Sequence, residues 1–241
     1  MKKHIPNLIT LGNLFCGTIA TIFAVQSDFV SAGLFVVIGI FLDFFDGFVA
    51  RLLQVSGELG KQLDSLADMV TSGVVPGIIM FNLFASKRTG VESYTDESVC
   101  AIFLPFFGLL LTLGAGYRLA KFNIDTRQSD SFIGLPTPAM SLFVISLPLI
   151  LEYSDIEFVQ NLITNKYFLI TVTLFLTYLM NAELPLFSLK FKEYSLQGNW
   201  IKYVFLAISL LLIISLNIIS IPIIITFYLF LSLIKKQVIS N

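Results

Sequence analysis

Residues 39–73 read GIFLDFFDGFVARLLQVSGELGKQLDSLADMVTSG. Four aspartates lie in this otherwise apolar region within 26 residues of one another: Asp43, Asp46, Asp64 and Asp68. A carboxylate in a transmembrane helix costs about 2.5–3.5 kcal/mol on insertion scales, so an acid in such a place indicates function by default. The four carboxylates together predict a site that binds a cation.

The composition is that of an integral membrane protein. Of 241 residues, 56% are hydrophobic and 13% charged, and 24 are Phe. The net charge of −1 argues against a nucleic-acid partner, which requires a basic surface. The chain has one His and two Cys, Cys16 and Cys100, too few to suggest a zinc site or a disulfide scaffold.

Apolar segments of roughly 17–25 residues can cross a bilayer as helices. They predict an all-α bundle of about eight transmembrane helices in a single domain, 1–241, with a catalytic core of about 1–182 and C-terminal helices in 199–236. The first apolar run shows no clear cleavage site and is interpreted as a retained span. The eight predicted spans are 5–26, 30–53, 61–86, 98–121, 134–152, 166–182, 199–217 and 219–236.

The basic residues predict the orientation. With eight spans, twelve of the fifteen Lys and Arg lie on the side of the N-terminus, and Lys87, Arg88 and Lys166 lie opposite. The positive-inside rule then places both termini in the cytoplasm. The four aspartates would lie at the cytoplasmic ends of the second and third spans, and the expected location is the bacterial inner membrane.

The spacing of the aspartates predicts that they face each other. Asp43 and Asp46 are three residues apart and Asp64 and Asp68 four, so each pair lies on one helical face. The linker from Leu53 to Gly60 contains Gly57 and Gly60, which allow a tight turn, and the two faces can meet in an antiparallel hairpin. Oxygen donors alone suit a hard cation, Mg²⁺ or Mn²⁺, and four carboxylates have the capacity for two ions.

Small and basic residues accompany the acids. Gly47 and Ala50 share the helical face of Asp43 and Asp46 and leave room for a ligand, while Arg51 offers a planar fork for an anion. Each residue also has a structural explanation, because Gly and Ala mark close helix packing in membranes and Arg anchors helix ends. A cation or proton transporter is a second functional class that the acids allow.

The pattern Asp43-x2-Asp46-Gly47-x2-Ala50-Arg51-x8-Gly60-x3-Asp64-x3-Asp68 resembles the complete signature of the CDP-alcohol phosphotransferase family. The resemblance implies the fold of that family, and a membrane enzyme that displaces CMP from a CDP-activated lipid, requires Mg²⁺ or Mn²⁺, forms homodimers and opens its site to the cytoplasm. It implies that Asp43, Asp46, Asp64 and Asp68 bind metal and that Asp68 is also the catalytic base. Gly47, Ala50, Arg51 and Gly60 would line the nucleotide pocket.

The first span adds a polar stripe. Asn7, Thr10 and Asn13 recur every three residues and would face the bundle, where they can bind the diphosphate of the CDP-lipid. Hydrogen bonding between helices, worth about 0.6 kcal/mol per bond, explains them almost as well.

Four further segments resemble the phosphatidylserine-synthase branch of the family: IPNLITLGNLFCG at the start, RLAKFN at 118–123, FIGLPTPA at 132–139 and FSLKFK at 187–192. This branch transfers a phosphatidyl group from CDP-diacylglycerol to L-serine. A serine pocket needs at least one fixed cation for the carboxylate. Arg118 and Lys121 can supply it, with Asn123 and the loop containing Pro136 and Thr137 closing the site.

Both cations are also explicable as positive-inside anchors, and Pro136 suits a helix start. The alternative acceptor is glycerol 3-phosphate or an inositol phosphate, which would favour more phosphate-binding cations around the pocket.

Overall fold

The computed structural model describes residues 4–55, 57–86, 102–125, 132–186 and 196–239, and it is almost wholly helical. The α-helices are α1 His4–Val25, α2 Phe29–Leu52, α3 Glu58–Asp68, α4 Val75–Ala85, α5 Leu110–Ile124, α6 Thr137–Tyr153, α7 Glu157–Ile163, α8 Lys166–Asn181, α9 Leu196–Leu216 and α10 Ser220–Ile239. A π-helical turn, Met69–Val74, joins α3 to α4, and 3-10 turns precede α5 and α10 at Leu104–Leu109 and Asn217–Ile219. The all-α prediction is confirmed.

Helices α1 and α2 form an antiparallel hairpin. The carboxylate of Asp28 caps α2 by accepting the backbone N–H of Ser31 at 3.0 Å, which lowers the pKa of Asp28. The two helices pack closely because their contacting residues are small, with Ala20, Ala24 and Ala32 fully buried. A close hairpin at this end of the chain brings the polar residues of α1 against the acids of α2.

Large apolar side chains cover the outside of the bundle. Phe15, Phe41 and Leu52 are at least 60% exposed, whereas the interior is filled by residues such as Ile79 and Met140. An apolar exterior of this extent is what a lipid environment requires. The protein is therefore a membrane protein, as its composition predicts.

A short strand pair closes the loop before α6. Strand β1, Phe132–Ile133, pairs antiparallel with β2, Pro185–Leu186, which the all-helical prediction did not contain. Gly134 follows with φ +74°, and a Cβ there would collide with the carbonyl oxygen of Met180, so only glycine fits. The FIGLPTPA segment is thus anchored to the end of α8, whereas FSLKFK, 187–192, lies outside the described residues.

The count of eight spans is not confirmed. Within the described ranges, four helical segments are long and apolar enough to cross a membrane, or five if α7 and α8, bent by 67°, form one span. Helix α6 has only 17 residues, and residues 98–101 of the predicted fourth span lie outside the described ranges. The length of apolar segments alone therefore overestimates how many of them form full-length straight helices.

One of the four segments, Asn199–Leu233, folds back on itself. Its break is at Asn217, where φ is +48°, and the rings of Phe205 and Phe227 stack with centroids 6.1 Å apart. In a straight helix those two residues would be about 33 Å apart. Helices α9 and α10 therefore form a hairpin, and each lies along part of a 35-residue apolar stretch.

Candidate active site

Three of the four aspartates meet between α2 and α3. Asp43, Asp46 and Asp64 each offer a carboxylate oxygen, and these oxygens all lie within 4.8 Å of one another. Asp46 is buried, and the other two are half-buried. Three carboxylates so close repel one another unless a cation neutralises them, and their all-oxygen donor set fits a hard divalent ion such as Mg²⁺ or Mn²⁺.

Asp68 lies outside this group of three carboxylates. It ends α3, one turn beyond Asp64, and its Oδ1 accepts a hydrogen bond from Nδ2 of Asn13 at 3.4 Å. It is also close enough to Arg118 for the two charges to interact. The hairpin thus places Asp68 at the edge of the cluster, within Coulombic range of Asp43, Asp46 and Asp64, and facing α1 and α5.

A cavity of about 440 Å³ opens beside the clustered acids, between α1, the end of α2 and the start of α3. Asn7, Thr10, Ala50 and Gly60, all predicted as CDP-lipid contacts, line this cavity. Its other lining residues are His4, Pro6, Asp46, Val55, Gly57, Leu59, Lys61 and Asp64. The cavity therefore combines apolar walls with two of the clustered carboxylates, an arrangement typical of ligand pockets.

Thr10 links the cavity wall to the acids. Its hydroxyl donates to Oδ2 of Asp46 at 2.5 Å and lies 3.1 Å from the carbonyl oxygen of Pro6. The bond fixes the Asp46 carboxylate against α1. A Cβ on Gly60 would lie 3.2 Å from Oδ1 of Asn7, so glycine lets α3 approach α1 closely here.

The other three residues predicted to bind the CDP-lipid lie elsewhere. Gly47 faces open space, since a Cβ added to it would meet nothing within 4 Å, and Arg51 is exposed, with Nε donating to the Gly47 carbonyl at 3.0 Å. Asn13 is fully buried and contacts Asp68 and Thr71 rather than the cavity. Their roles toward a ligand stay predictions.

Arg118 is buried at the side of α5 that faces Asp68. It is 8% exposed, and within the described part of the chain its Nε has no hydrogen-bond partner. It lines a narrow cleft together with Lys121, Phe122, Asp125, Ile133, Met180, Asn181 and Ala182. Asp68 lies within Coulombic range of this guanidinium, and the buried Nε can still donate a hydrogen bond to an anion that enters the cleft.

Other residues predicted to bind serine have protein partners. Lys121 forms an ion pair with Glu183, with Nζ 3.4 Å from Oε1. Asn123 ties α5 to α3: its side-chain amide donates to Oγ of Ser65 at 2.9 Å, and its backbone carbonyl accepts from Nζ of Lys61 at 2.5 Å. These contacts indicate a structural contribution for Lys121 and Asn123, and their contact with a substrate stays a prediction.

The loop residues lie at the start of α6. Pro136 is the N-cap of that helix, as the sequence predicts, and Thr137 is buried with no described partner for its Oγ1.

Asn181 is a residue that the sequence interpretation missed. Its Nδ2 donates to the carbonyl oxygens of Gly114 and Thr177 at 3.2 and 3.0 Å, while its buried Oδ1 has no partner among the described residues. Both donor bonds fix the amide, and Asn181 lines the same cleft as Arg118. The sequence does offer a signal for this residue, because Asn181 is a polar side chain at the end of the apolar helix α8.

Comparison with known proteins identifies related chains. Residues 3–180 match the family model described as CDP-alcohol phosphatidyltransferase. A protein of Bacillus subtilis (strain 168) named CDP-diacylglycerol–serine O-phosphatidyltransferase is 38% identical over 149 residues, covering 60% of this chain and 75% of the relative. A protein of the same name from Helicobacter pylori (strain J99) is 37% identical over 142 residues, covering 58% of this chain and 55% of that relative.

An archaeal protein extends the comparison. The archaetidylserine synthase of Methanothermobacter thermautotrophicus is 27% identical over 156 residues, which is 64% of this chain and 61% of that protein. The chain thus matches little more than half the length of some of its relatives.

Proposed function

The chain belongs to the CDP-alcohol phosphatidyltransferase family, and we propose that it transfers a phosphatidyl group from CDP-diacylglycerol to L-serine, giving phosphatidylserine and CMP. Relatives that carry the serine-transferase name, at 38 and 37% identity, support this acceptor. The single structural observation that carries the proposal is the cluster of Asp43, Asp46 and Asp64 beside a 440 Å³ cavity, with Asp46 and Asp64 in the cavity wall.

The cavity is the proposed site of the CDP-lipid. The hydroxyl of Thr10 and the amide of Asn7 lie on the α1 wall, and Ala50 and Gly60 leave room on the opposite walls. Lys61 also lines the cavity and offers a positive charge to a phosphate. Arg51 and Gly47, just outside, complete the CDP-lipid contacts that we propose from the family signature.

The clustered acids would hold one or two divalent ions, Mg²⁺ or Mn²⁺, which would neutralise phosphate charge and orient the diphosphate. Asp43, Asp46 and Asp64 are the ligands that the geometry favours. Asp68 as a further ligand stays a prediction, because its carboxylate is within Coulombic range of the other three but is not among the oxygens that lie within 4.8 Å of one another.

The reaction is a substitution at the lipid-side phosphorus. The hydroxyl oxygen of serine forms the new P–O bond, the P–O bond to CMP breaks, and CMP leaves with the electron pair. We propose that Asp68 accepts the hydroxyl proton, because it lies one turn deeper than Asp64 and faces Arg118. A positioned base of this kind contributes about 10²–10⁴-fold to rate.

Arg118 is the proposed partner of the serine carboxylate. Its buried Nε lacks a partner in the described ranges, and a carboxylate matches the guanidinium fork. Within Coulombic range of Asp68, it would bring the hydroxyl of the amino acid close to the base. Lys121, Asn123, Pro136 and Thr137 would support this pocket from its rim.

We also propose that the chain lies in the bacterial inner membrane, with both termini and the active site facing the cytoplasm. We further propose that it acts as a homodimer. The charge bias of the loops supports the orientation. The dimer rests on the family resemblance alone.

The function is tested by measuring CMP release from CDP-diacylglycerol by the purified protein in detergent with Mn²⁺ or Mg²⁺. L-serine, glycerol 3-phosphate and inositol phosphate are compared as acceptors. Release that depends on L-serine supports the proposal. If CMP is released only with a phosphorylated acceptor, the transfer reaction stands and serine is the wrong acceptor. If no acceptor gives CMP release, the transporter alternative is favoured.

A further inference from the structure

A buried contact between α1 and the π-helical turn lies directly behind Asp68. Thr71, in that turn, donates from Oγ1 to Oδ1 of Asn13 at 2.8 Å, and the same hydroxyl lies 3.2 Å from the Asn13 backbone carbonyl. The Asn13 amide then has its Nδ2 directed at Oδ1 of Asp68, at 3.4 Å. Thr71, Asn13 and Asp68 therefore form one chain of hydrogen bonds across three segments.

The chain of hydrogen bonds has a fixed direction. Because the hydroxyl of Thr71 donates to the amide oxygen, the opposite end of the Asn13 amide must present its N–H groups. An ionised carboxylate has no proton to donate, so it only accepts hydrogen bonds. The amide of Asn13 therefore matches Asp68 when its Nδ2 points to the carboxylate, and not when its Oδ1 does. Thr71 thus determines which face of the Asn13 amide meets Asp68.

Two glycines show that the helices are built around this contact. A Cβ on Gly39 of α2 would lie 2.8 Å from Oδ1 of Asn13 and 2.8 Å from Cγ2 of Thr71. A Cβ on Gly17 of α1 would lie 3.0 Å from the Cα and backbone N of Thr71. Only glycine lets α1, α2 and the turn approach closely enough for the hydroxyl to reach Asn13, and both Asn13 and Thr71 are fully buried.

The π-helical turn gives Thr71 its position. An inserted π-helical turn shifts the residues after it relative to an α-helix, and such turns recur at functional sites. Here the turn starts immediately after Asp68, at Met69, and contains Thr71. Asp68 and Thr71 are three residues apart and contact the two ends of the same Asn13 amide, Nδ2 and Oδ1.

We propose that Thr71 is a positioning residue for the proposed base Asp68, acting through the Asn13 amide. The inference rests on the proposed function of Asp68. It assigns Asn13 to holding the carboxylate rather than to contacting the CDP-lipid, which accords with its place away from the cavity.

The test compares Thr71→Ser with Thr71→Ala. Both variants lack the methyl group and differ only in the hydroxyl. Thr173→Val is a matched control, because Thr173 is also fully buried but, among the residues that the structure describes, its hydroxyl bonds only to the carbonyl of Leu169 in its own helix. CMP release is measured with each substrate varied in turn, and kcat is divided by the number of sites that bind CDP-diacylglycerol in the same preparation.

We expect Thr71→Ala to lower this normalised kcat about 10–100-fold, the range of comparable supporting contacts, with the KM for CDP-diacylglycerol unchanged. Thr71→Ser should retain most of the wild-type kcat, and Thr173→Val should retain all of it. A merely structural role would reduce the number of binding sites and the thermal unfolding midpoint, and leave the normalised kcat intact.

Equal normalised kcat for Thr71→Ser and Thr71→Ala would overturn the inference. If the wild type releases CMP only with another acceptor, the choice of serine fails, and the Thr71 comparison is made with that acceptor, since the hydrogen-bond chain does not involve it. Failure to release CMP with any acceptor would overturn both proposals.

Discussion

Individual carboxylates have different surroundings in this site, although their spacing is regular. Asp43, Asp46 and Asp64 offer oxygens within 4.8 Å of one another, whereas Asp68, although within Coulombic range of them, is the acid that accepts a hydrogen bond from Asn13. This division corresponds to two tasks in phosphoryl transfer, binding cations and accepting a proton.

Replacing the proposed base gives the first prediction. Asp68→Asn should lower kcat about 10²–10⁴-fold, because an amide cannot accept the hydroxyl proton, while CDP-diacylglycerol binding is largely retained. The measurement is CMP release together with titration of the CDP-lipid. Asp155→Asn, an exposed acid after α6, is the control with wild-type activity. Wild-type turnover in Asp68→Asn would refute its role as base.

The buried guanidinium gives the second prediction. Arg118→Ala should raise the KM for L-serine about 10–100-fold, since a hydrogen bond to a charged group contributes about 1.5–3 kcal/mol, and should affect the KM for CDP-diacylglycerol much less. Steady-state kinetics with each substrate varied separates the two. Lys166→Ala, a half-buried cation at the start of α8, serves as control. Equal changes in both constants would exclude a specific contact with serine.

At the scale of elements, the close approach of α1, α2 and the π-helical turn depends on glycine. Gly39→Ala would introduce a methyl group 2.8 Å from both Asn13 and Thr71, and we expect a loss of stability of about 1–3 kcal/mol from overpacking. Thermal unfolding in detergent measures it. Gly47→Ala, whose Cβ would meet nothing within 4 Å, should be as stable as the wild type or more so.

If Gly39→Ala has the same thermal unfolding midpoint as Gly47→Ala, α2 can move away from α1 without a loss of stability. The described packing would then be looser than its distances indicate.

Sequence periodicity predicted the helical hairpin with facing acids, because spacings of three and four residues fix a helical face. The π-helical turn at Met69–Val74 could not be predicted this way, since side-chain spacing does not show where a helix changes from α to π hydrogen bonding. The orientation of the Asn13 side-chain amide also depends on a hydrogen bond from Thr71, which is 58 residues away in sequence. The pairing of β1 with β2 likewise depends on contacts between distant segments.

At the scale of the whole molecule, apolar runs indicate a membrane protein without fixing the number of crossings. Helices α7 and α8 meet at 67°, and α9 and α10 fold back at Asn217. Such breaks depend on a few residues and on packing. The cation bias of the loops was counted with eight spans, so the orientation that it predicts depends on that count.

The orientation can be tested with cysteine labelling. In a variant with Cys16 and Cys100 replaced by serine, Glu58→Cys at the start of α3 should be labelled by an impermeant thiol reagent only after the membrane is opened. Asp155→Cys, on the predicted outer side, should be labelled in intact cells. Both side chains are exposed in the structure. The reverse pattern would invert the proposed topology.

The decisive measurement is the formation of lipid from isotope-labelled L-serine and CDP-diacylglycerol by the purified protein, followed by mass spectrometry, with a chelator and with Mn²⁺ added back. We predict labelled phosphatidylserine from the wild type, its loss with chelator, its recovery with Mn²⁺, and little product from Asp43→Asn at any Mn²⁺ concentration. Labelled lipid that forms in the presence of chelator, or equally well in Asp43→Asn, would show that the clustered aspartates do not bind a catalytic cation.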